Sequence, residues 1–294
     1  MIDLHTHTNC SDGADDYKAL LTNAEKTGIT ILSITDHDNC KVYDQMKNDD
    51  ITKYFSGRLI KGVELQCMVN GKSIELLGYG VDTDIINKRV KEVYKPFKEI
   101  NIYELTKLYE NCKKIGMKFD DNVIERYNPD EIYYSTEYLH NEMRKHEENR
   151  KFVDDDESWE HESVFFRKYT TNAESKLYVD ESELMPSAET IAKLIKEAGG
   201  LVFIPHIFQY EERSMEILEY LINNCEIDGI ECFYPSFTIE QREFIYNYAK
   251  EKGKYISGGS DYHGANRPKT KIGTGIYNNL NVTEDIVYEW INKI

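Results

Sequence analysis

Five histidines stand where an imidazole can do chemistry. His5, His7, His37, His206 and His263 each follow an apolar run and sit beside aspartate or glycine, with Asp12, Asp36, Asp38, Glu64 and Asp261 close by in the sequence. Neutral imidazoles and carboxylates are the donors that divalent first-row ions take. A single histidine of this kind is better read as an ordinary hydrogen-bonded residue; five at the ends of strand-like runs point to a polynuclear metal site. In His5-Thr6-His7 the alternation of an extended chain puts both imidazoles on one side, where they can share an ion. Asp261 and His263 repeat that spacing within Gly258-Gly259-Ser260-Asp261-Tyr262-His263-Gly264, whose glycines allow close backbone approach or positive φ. Glu64 ends the run Lys61-Gly62-Val63-Glu64, and its two oxygens suit a bridge between two ions. His140, His146 and His161 lie in a polar stretch and read as structural. Cys10, Cys40 and Cys67 follow the motifs without a basic partner to make a thiolate, and read as small fillers.

The elements that must hold these residues alternate. Ile2 to Leu4 starts a strand, Tyr17 to Thr27 repeats apolar residues at helical spacing, and Gly28 stops that helix before the β-branched run Ile29 to Thr35. Leu59 to Glu64 and Ile74 to Tyr79 read as further strands. The last third continues with a helix from Ser187 to Ala198, then the strand Leu201 to Ile204. A helix from Met215 to Asn223 leads to Gly229-Ile230-Glu231-Cys232, and one from Ile239 to Lys252 leads to Tyr255-Ile256-Ser257. Short connections of this kind imply a parallel sheet or barrel, whose strand ends converge on one face. The stretch 87–184 has no strand pattern and reads as a helical insertion, a lid or substrate domain, in a frame formed by 1–86 and 185–294. Its acidic run Asp154-Asp155-Asp156-Glu157 reads as a solvated loop.

Composition narrows the class. The 294 residues are 40% hydrophobic and carry 53 acidic against 36 basic residues, a formal charge of -17. That balance disfavours a duplex nucleic-acid binder, which needs cations to displace counterions. It leaves room for a phosphorylated small molecule, because bound divalent ions reverse the local sign. No apolar run approaches the ~20 residues of a membrane span, no basic leader precedes one, and the six cysteines form no CxxC pair. A cytoplasmic protein with reduced thiols and no membrane partner is expected; the sequence does not give the oligomeric state.

Taken jointly, His5-Thr6-His7 with Ser11-Asp12-Gly13, Thr35-Asp36-His37-Asp38, Gly62-Val63-Glu64, Pro205-His206 and Gly259-Ser260-Asp261-Tyr262-His263-Gly264 resemble the PHP (polymerase and histidinol phosphatase) family. The motifs come in the family's order and cover the chain except much of the insertion. Within the family the sequence most resembles stand-alone phosphoesterases such as the 3′,5′-nucleoside-bisphosphate phosphatases, which also carry a helical insertion. The resemblance implies an α/β fold, a distorted (β/α)7 TIM-like barrel, and two to three divalent ions (Mn, Fe or Zn, with Mg a further option). It implies that His5, His7, Glu64 and Asp261 hold the first ion, that Glu64 and His206 hold the second, and that Asp12, His37 and His263 hold the third. Where the family commonly has a histidine for the second ion, this sequence has Glu75. A glutamate there is expected to ligate and, as a harder donor, to favour Mn²⁺, Fe²⁺ or Mg²⁺ over Zn²⁺.

Clustered cations suit phosphate-ester hydrolysis, since they neutralise phosphoryl oxygens and yield hydroxide near neutral pH. The leading expectation is hydrolysis of a small phosphomonoester, a nucleotide or nucleoside bisphosphate, with metal-activated hydroxide beside Glu64. The leaving-group proton would come from bound water or from one of His37, His206 and His263. Arg267 and Lys269 are candidate phosphate contacts, with Arg144 and Arg167 of the insertion behind them. Two alternatives stand: an exonuclease acting on nucleic-acid ends, which the charge disfavours, and a non-catalytic metal- or nucleotide-binding module, which the near-complete ligand set disfavours.

Overall fold

Short β-branched runs bounded by glycine and polar residues become strands, and the amphipathic stretches between them become helices. The structure, a computed structural model, describes residues 1–129, 134–180, 182 and 184–294, with the side chain of Arg167 outside the description. Seven strands form one sheet in chain order: β1 (Ile2–Asp3), β2 (Ile31–Ile34), β3 (Arg58–Val69), β4 (Lys72–Tyr79), β5 (Leu201–Ile204), β6 (Gly229–Phe233) and β7 (Tyr255–Gly258). Helix Tyr17–Thr27 starts where the Asp16 carboxylate accepts from Ala19 N, and stops at Gly28, whose φ of 77° no side chain obstructs. Helix Ile239–Glu251 starts in a Thr238/Gln241 capping box.

The sheet is not wholly parallel, contrary to what the alternation suggested. β3 and β4 form a hairpin, and β4 also pairs antiparallel with β5. The reason is local: Asn70 and Gly71 supply the two successive positive φ values, 48° and 75°, of a two-residue hairpin turn. The remaining pairs are parallel. At the seam, Leu4 N donates to Gly258 O at 3.2 Å, Asp261 N to His5 O at 2.8 Å and His7 N to Tyr262 O at 2.9 Å. These bonds nearly close the sheet into a distorted (β/α)7 barrel.

One end of the barrel is apolar. Ile2, Leu4, Ile60, Leu77, Tyr79 and Phe203 pack there with Trp290, which is wholly buried and donates its indole N–H to Ile256 O at 2.9 Å. Truncating such a side chain to alanine costs about 3–5 kcal/mol.

The chain divides into two compact units, Met1–Val93 with Pro186–Ile294, and Tyr94–Met185. Helix Thr83–Val93 runs past the expected boundary at 87 and stays with the first unit, where it packs on helix Ala188–Glu197. The second unit has no strand among the described residues, and its helices enclose their own core of Leu105, Leu108, Leu139, Met143, Trp159 and Phe165. The acidic run does more than face solvent: Asp155 caps helix Asp156–Glu160 by accepting from Ser158 N. No helix among the described residues is long and apolar enough to cross a membrane.

Gly259 sits where the seam is tightest, since a Cβ there would fall 2.4 Å from both Cβ and N of His5. Overpacking of this kind costs about 1–3 kcal/mol. Gly259→Ala is therefore expected to lower the melting temperature of the protein by several degrees. An unchanged thermal melt would mean that the seam has slack to absorb a methyl group.

Candidate metal centre

The strand ends deliver their donors to one point, and the carboxylate of Glu64 occupies its middle. Glu64 lies in β3 and is 1% exposed. Its Oε2 is 3.1 Å from His5 Nε2, 3.3 Å from His7 Nε2 and 3.4 Å from His37 Nδ1, and its Oε1 is 2.9 Å from His206 Nε2. Asp261 Oδ1 closes the near side, 3.5 Å from His5 Nε2 and 3.2 Å from His7 Nε2. Farther out, Asp12 Oδ2 lies 3.0 Å from His263 Nε2, and Asp12 Oδ1 lies 3.6 Å from His37 Nε2. Three sets of donors are close enough to share an ion: His5, His7 and Asp261; His5, Glu64 and His206; and His7, Asp12, His37 and His263. His7 thus belongs to two sets, where the sequence reading gave it one.

A layer of hydrogen bonds fixes this arrangement. Asp36 accepts from Thr8 N, Thr8 Oγ1 and Ser11 Oγ, each at 2.7 Å, and so ties the loop after β1 to the loop after β2. Asp3 accepts from Ser260 N at 2.8 Å, Ser260 Oγ at 2.6 Å and Gly273 N at 2.7 Å, which anchors the loop after β7. Burial nevertheless pushes the Asp3 carboxyl up to about 6, against those donors. Tyr234 donates its hydroxyl to Asp261 Oδ2 at 2.8 Å. Glu231, wholly buried in β6, accepts from His5 Nδ1 at 3.0 Å and from His206 N at 2.8 Å. Three of the loops carry residues in the left-handed region, Asp38 (φ 53°), His206 (φ 23°) and Asp261 (φ 55°). Non-glycine residues there cost about 1–3 kcal/mol each and persist only where their surroundings dictate them.

The sequence reading placed Asp12, His37, Glu64, His206, Asp261 and His263 together with His5 and His7, and the fold brings these eight together. It gave no role to Glu231 or Tyr234; the available signal was a lone carboxylate inside the otherwise apolar strand Gly229-Ile230-Glu231-Cys232-Phe233. Glu75 stands apart. Because β4 runs backwards, Glu75 pairs with Gln66, beyond Glu64 along β3 and nearer the rim. Its Oε2 is 3.7 Å from His206 Nε2 and accepts from Tyr210 OH at 3.4 Å, outside the three close donor sets. Burial and the Glu64 charge raise its carboxyl.

The basic candidates have different surroundings. Arg267 donates to Asp261 Oδ2 at 2.5 Å and faces Asp12 Oδ2 at 3.9 Å, while Lys269 is exposed. Arg144 pairs with Glu160 within the insertion unit; the side chain of Arg167 lies outside the described residues. Cys40 and Cys67 are buried and Cys10 half-buried, and burial pushes all three thiols up, against a nucleophilic role. His140 is buried against Ser158 O and His146 pairs with Asp120, as structural histidines do.

The donor chemistry fits divalent ions. His7 Nδ1, His7 Nε2, His206 Nδ1 and His263 Nε2 are buried without a well-formed hydrogen bond among the described residues, although carboxylate oxygens stand close to three of them. Buried polar atoms left so are rare unless something else satisfies them. Electrostatics agree. Burial raises the carboxyls of Glu64 and Asp261, but the surrounding imidazoles outweigh it and hold both well below their ordinary values. Conversely, burial lowers His7, yet Asp261 and Glu64 outweigh it and push the imidazole up to about 9.

A pH dependence follows. In the metal-free protein His7 holds a proton up to about pH 9 that an incoming ion must displace. Metal binding at pH 7.5 is expected to release at least one proton per chain, measured calorimetrically in buffers of different ionisation enthalpy. The sign for stability is set by the raised value. The His7 proton's contribution to the metal-free protein is full below the unfolded value near 6.5 and is lost as pH rises through about 9. Binding heats independent of the buffer would contradict this.

Comparison with known proteins gives the family of the chain. The PHP domain family model matches residues 3–199. A 3′,5′-nucleoside bisphosphate phosphatase from Chromobacterium violaceum is 25% identical over 267 residues, 89% of this chain and 87% of its own. A 5′-3′ exoribonuclease from Haemophilus influenzae is 22% identical over 263 residues, 89% of each chain. Among solved structures, a Bifidobacterium adolescentis protein assigned as a metal-dependent phosphoesterase superimposes with a TM-score of 0.61 at 23% identity, over 98% of this chain and 94% of the other. The chain belongs to the PHP family and is a metal-dependent phosphoesterase, a hydrolase of phosphoester bonds.

Proposed function

We propose that the chain hydrolyses a small phosphomonoester, a nucleotide or a nucleoside bisphosphate, at three ion positions arranged around Glu64. The observation that carries this reading is the convergence of three donor sets on one buried carboxylate. His5, His7, Glu64 and Asp261 would hold the first ion, Glu64, Glu75 and His206 the second, and Asp12, His37 and His263 the third. Divalent ions bound there supply Lewis acidity, which neutralises phosphoryl oxygens and lowers the pKa of a coordinated water.

The chain's own residues do the rest. Glu64, held well below its ordinary value by the surrounding imidazoles, would offer one oxygen to each of the first two positions. Asp12, His37 and Arg267 form the partly exposed side of the cluster, with side chains 50%, 26% and 46% accessible, and this is where a phosphate can enter. Arg267 gives a phosphate a guanidinium partner there, with the exposed Lys269 two residues on. His206 and His263 are almost fully buried, so the leaving oxygen would take its proton at the open side, from a bound water or from His37. Glu75 makes the second position harder than an imidazole would, which favours Mn²⁺, Fe²⁺ or Mg²⁺.

A second reading, cleavage at nucleic-acid ends, is favoured by the relative named as a 5′-3′ exoribonuclease. The formal charge of -17 weighs against a long polyanion. A substrate panel with added Mn²⁺ separates the two. Release of inorganic phosphate from nucleoside bisphosphates or mononucleotides is expected, whereas shortening of labelled RNA without phosphate release would move the assignment to the second reading. His5→Ala and Asp261→Ala are each expected to lower metal content and to reduce kcat/KM by about 10²- to 10³-fold. Glu75→Gln is expected to reduce the number of ions bound, measured by elemental analysis after dialysis. Retention of the full complement would remove Glu75 from the ligand set.

A further inference from the structure

We propose that Glu231 is a positioning residue whose one carboxylate sets the tautomer of His5 and the backbone of His206, and so aims ligands of two different ions. The inference rests on the ligand assignment above. Glu231 belongs to none of the donor sets that can share an ion, yet it is wholly buried directly behind two of them. Its Oε1 accepts from His5 Nδ1 at 3.0 Å, and its Oε2 accepts from the backbone N–H of His206 at 2.8 Å. Both oxygens are therefore committed to N–H donors, and an ionised carboxylate offers only acceptors.

The consequence for His5 is chemical. A neutral imidazole carries its proton on one nitrogen. Holding it at Nδ1 leaves the lone pair on Nε2, the nitrogen that faces Glu64 Oε2 at 3.1 Å and Asp261 Oδ1 at 3.5 Å. That is the form in which a histidine binds an ion, with its other nitrogen donating to a carboxylate behind it.

For His206 the consequence is conformational. This residue follows Pro205 and turns with φ 23° and ψ 46°, a backbone that a non-glycine residue adopts only when held. The bond from its N–H to Glu231 Oε2 fixes the turn that brings His206 Nε2 to 2.9 Å from Glu64 Oε1. One side chain in β6 thereby couples the loop after β1 to the loop after β5. Among the described residues, no other titratable side chain hydrogen-bonds to both His5 and His206, except Glu64 itself.

Glutamine at this position has nearly the same shape but one acceptor and one donor. If its oxygen kept the His206 N–H, its amide N–H would face His5 Nδ1 and drive the imidazole proton to Nε2, into the ion position. If the amide turned over, a donor would oppose the N–H of His206. Packing alone would accept the exchange; the proposed role cannot.

The test is Glu231→Gln in the full-length protein, titrated with Zn²⁺ and with Mn²⁺, with thermal melts to follow folding. Affinity for the ions assigned to His5 and His206 is expected to fall by about 10- to 100-fold. The ion assigned to Asp12, His37 and His263 is expected to remain. Histidine-ring ¹⁵N NMR of the zinc-loaded wild-type protein, which needs no variant to fold, is expected to show His5 protonated at Nδ1. A variant that binds every ion as the wild type does, or a wild-type His5 protonated at Nε2, overturns the role of Glu231 alone. Wild-type protein that holds no ion at all overturns the ligand assignment, and this inference with it.

Discussion

A carboxylate buried among imidazoles is the arrangement on which the rest of this structure depends. Glu64 is almost wholly shielded from water, and an isolated charge in that position would be neutralised or excluded. It is retained because nitrogens of His5, His7, His37 and His206 stand within 3.4 Å of its two oxygens. In the metal-free chain His5, His7 and His206 answer the negative charge by holding their protons more firmly. Divalent ions bound there would take that part, so protons and metal would compete for one set of lone pairs.

Holding so many donors at one point takes backbone geometry that ordinary strands do not provide. The seam between β1 and β7 closes over Gly259, which leaves no room for a side chain beside His5. Asp38, His206 and Asp261 adopt left-handed backbone where the chain leaves its strands, and each is held by neighbouring polar groups. Asp38 accepts from Gln66 N at 2.9 Å, His206 is tied to Glu231, and Asp261 takes bonds from Tyr234 and Arg267. The apolar floor of the barrel, stacked on Trp290, carries the burial that offsets this strain.

Much of this was legible in the sequence because the ligands come in short motifs at strand ends. His5-Thr6-His7 and Asp261-Tyr262-His263 declare their spacing directly, and the fold only has to bring the two together. The groups behind the ligands were not legible. Glu231 lies 226 residues from its partner His5 and sits inside an apolar run, where nothing local distinguishes a functional carboxylate from a misplaced one. The reversal of β4 was written in Asn70-Gly71, and overlooking it hid why Glu75 lies nearer the rim than a ligand on a parallel strand would. Arg267 read as a candidate phosphate contact or an ion-pair partner; it pairs with Asp261 and so also helps to orient a candidate ligand. The substrate is the least legible property, because relatives 22% and 25% identical over most of the chain carry different activities in their names.

The central claim, that Glu64 is shared between ions at the carboxyl ends of the strands, is tested most directly by anomalous diffraction from crystals of the Mn²⁺-loaded protein. The account predicts anomalous peaks on both sides of Glu64, one beside His5, His7 and Asp261 and one beside His206, with a third among Asp12, His37 and His263. Peaks that leave Glu64 in contact with no ion, or metal bound only away from these histidines, would contradict it.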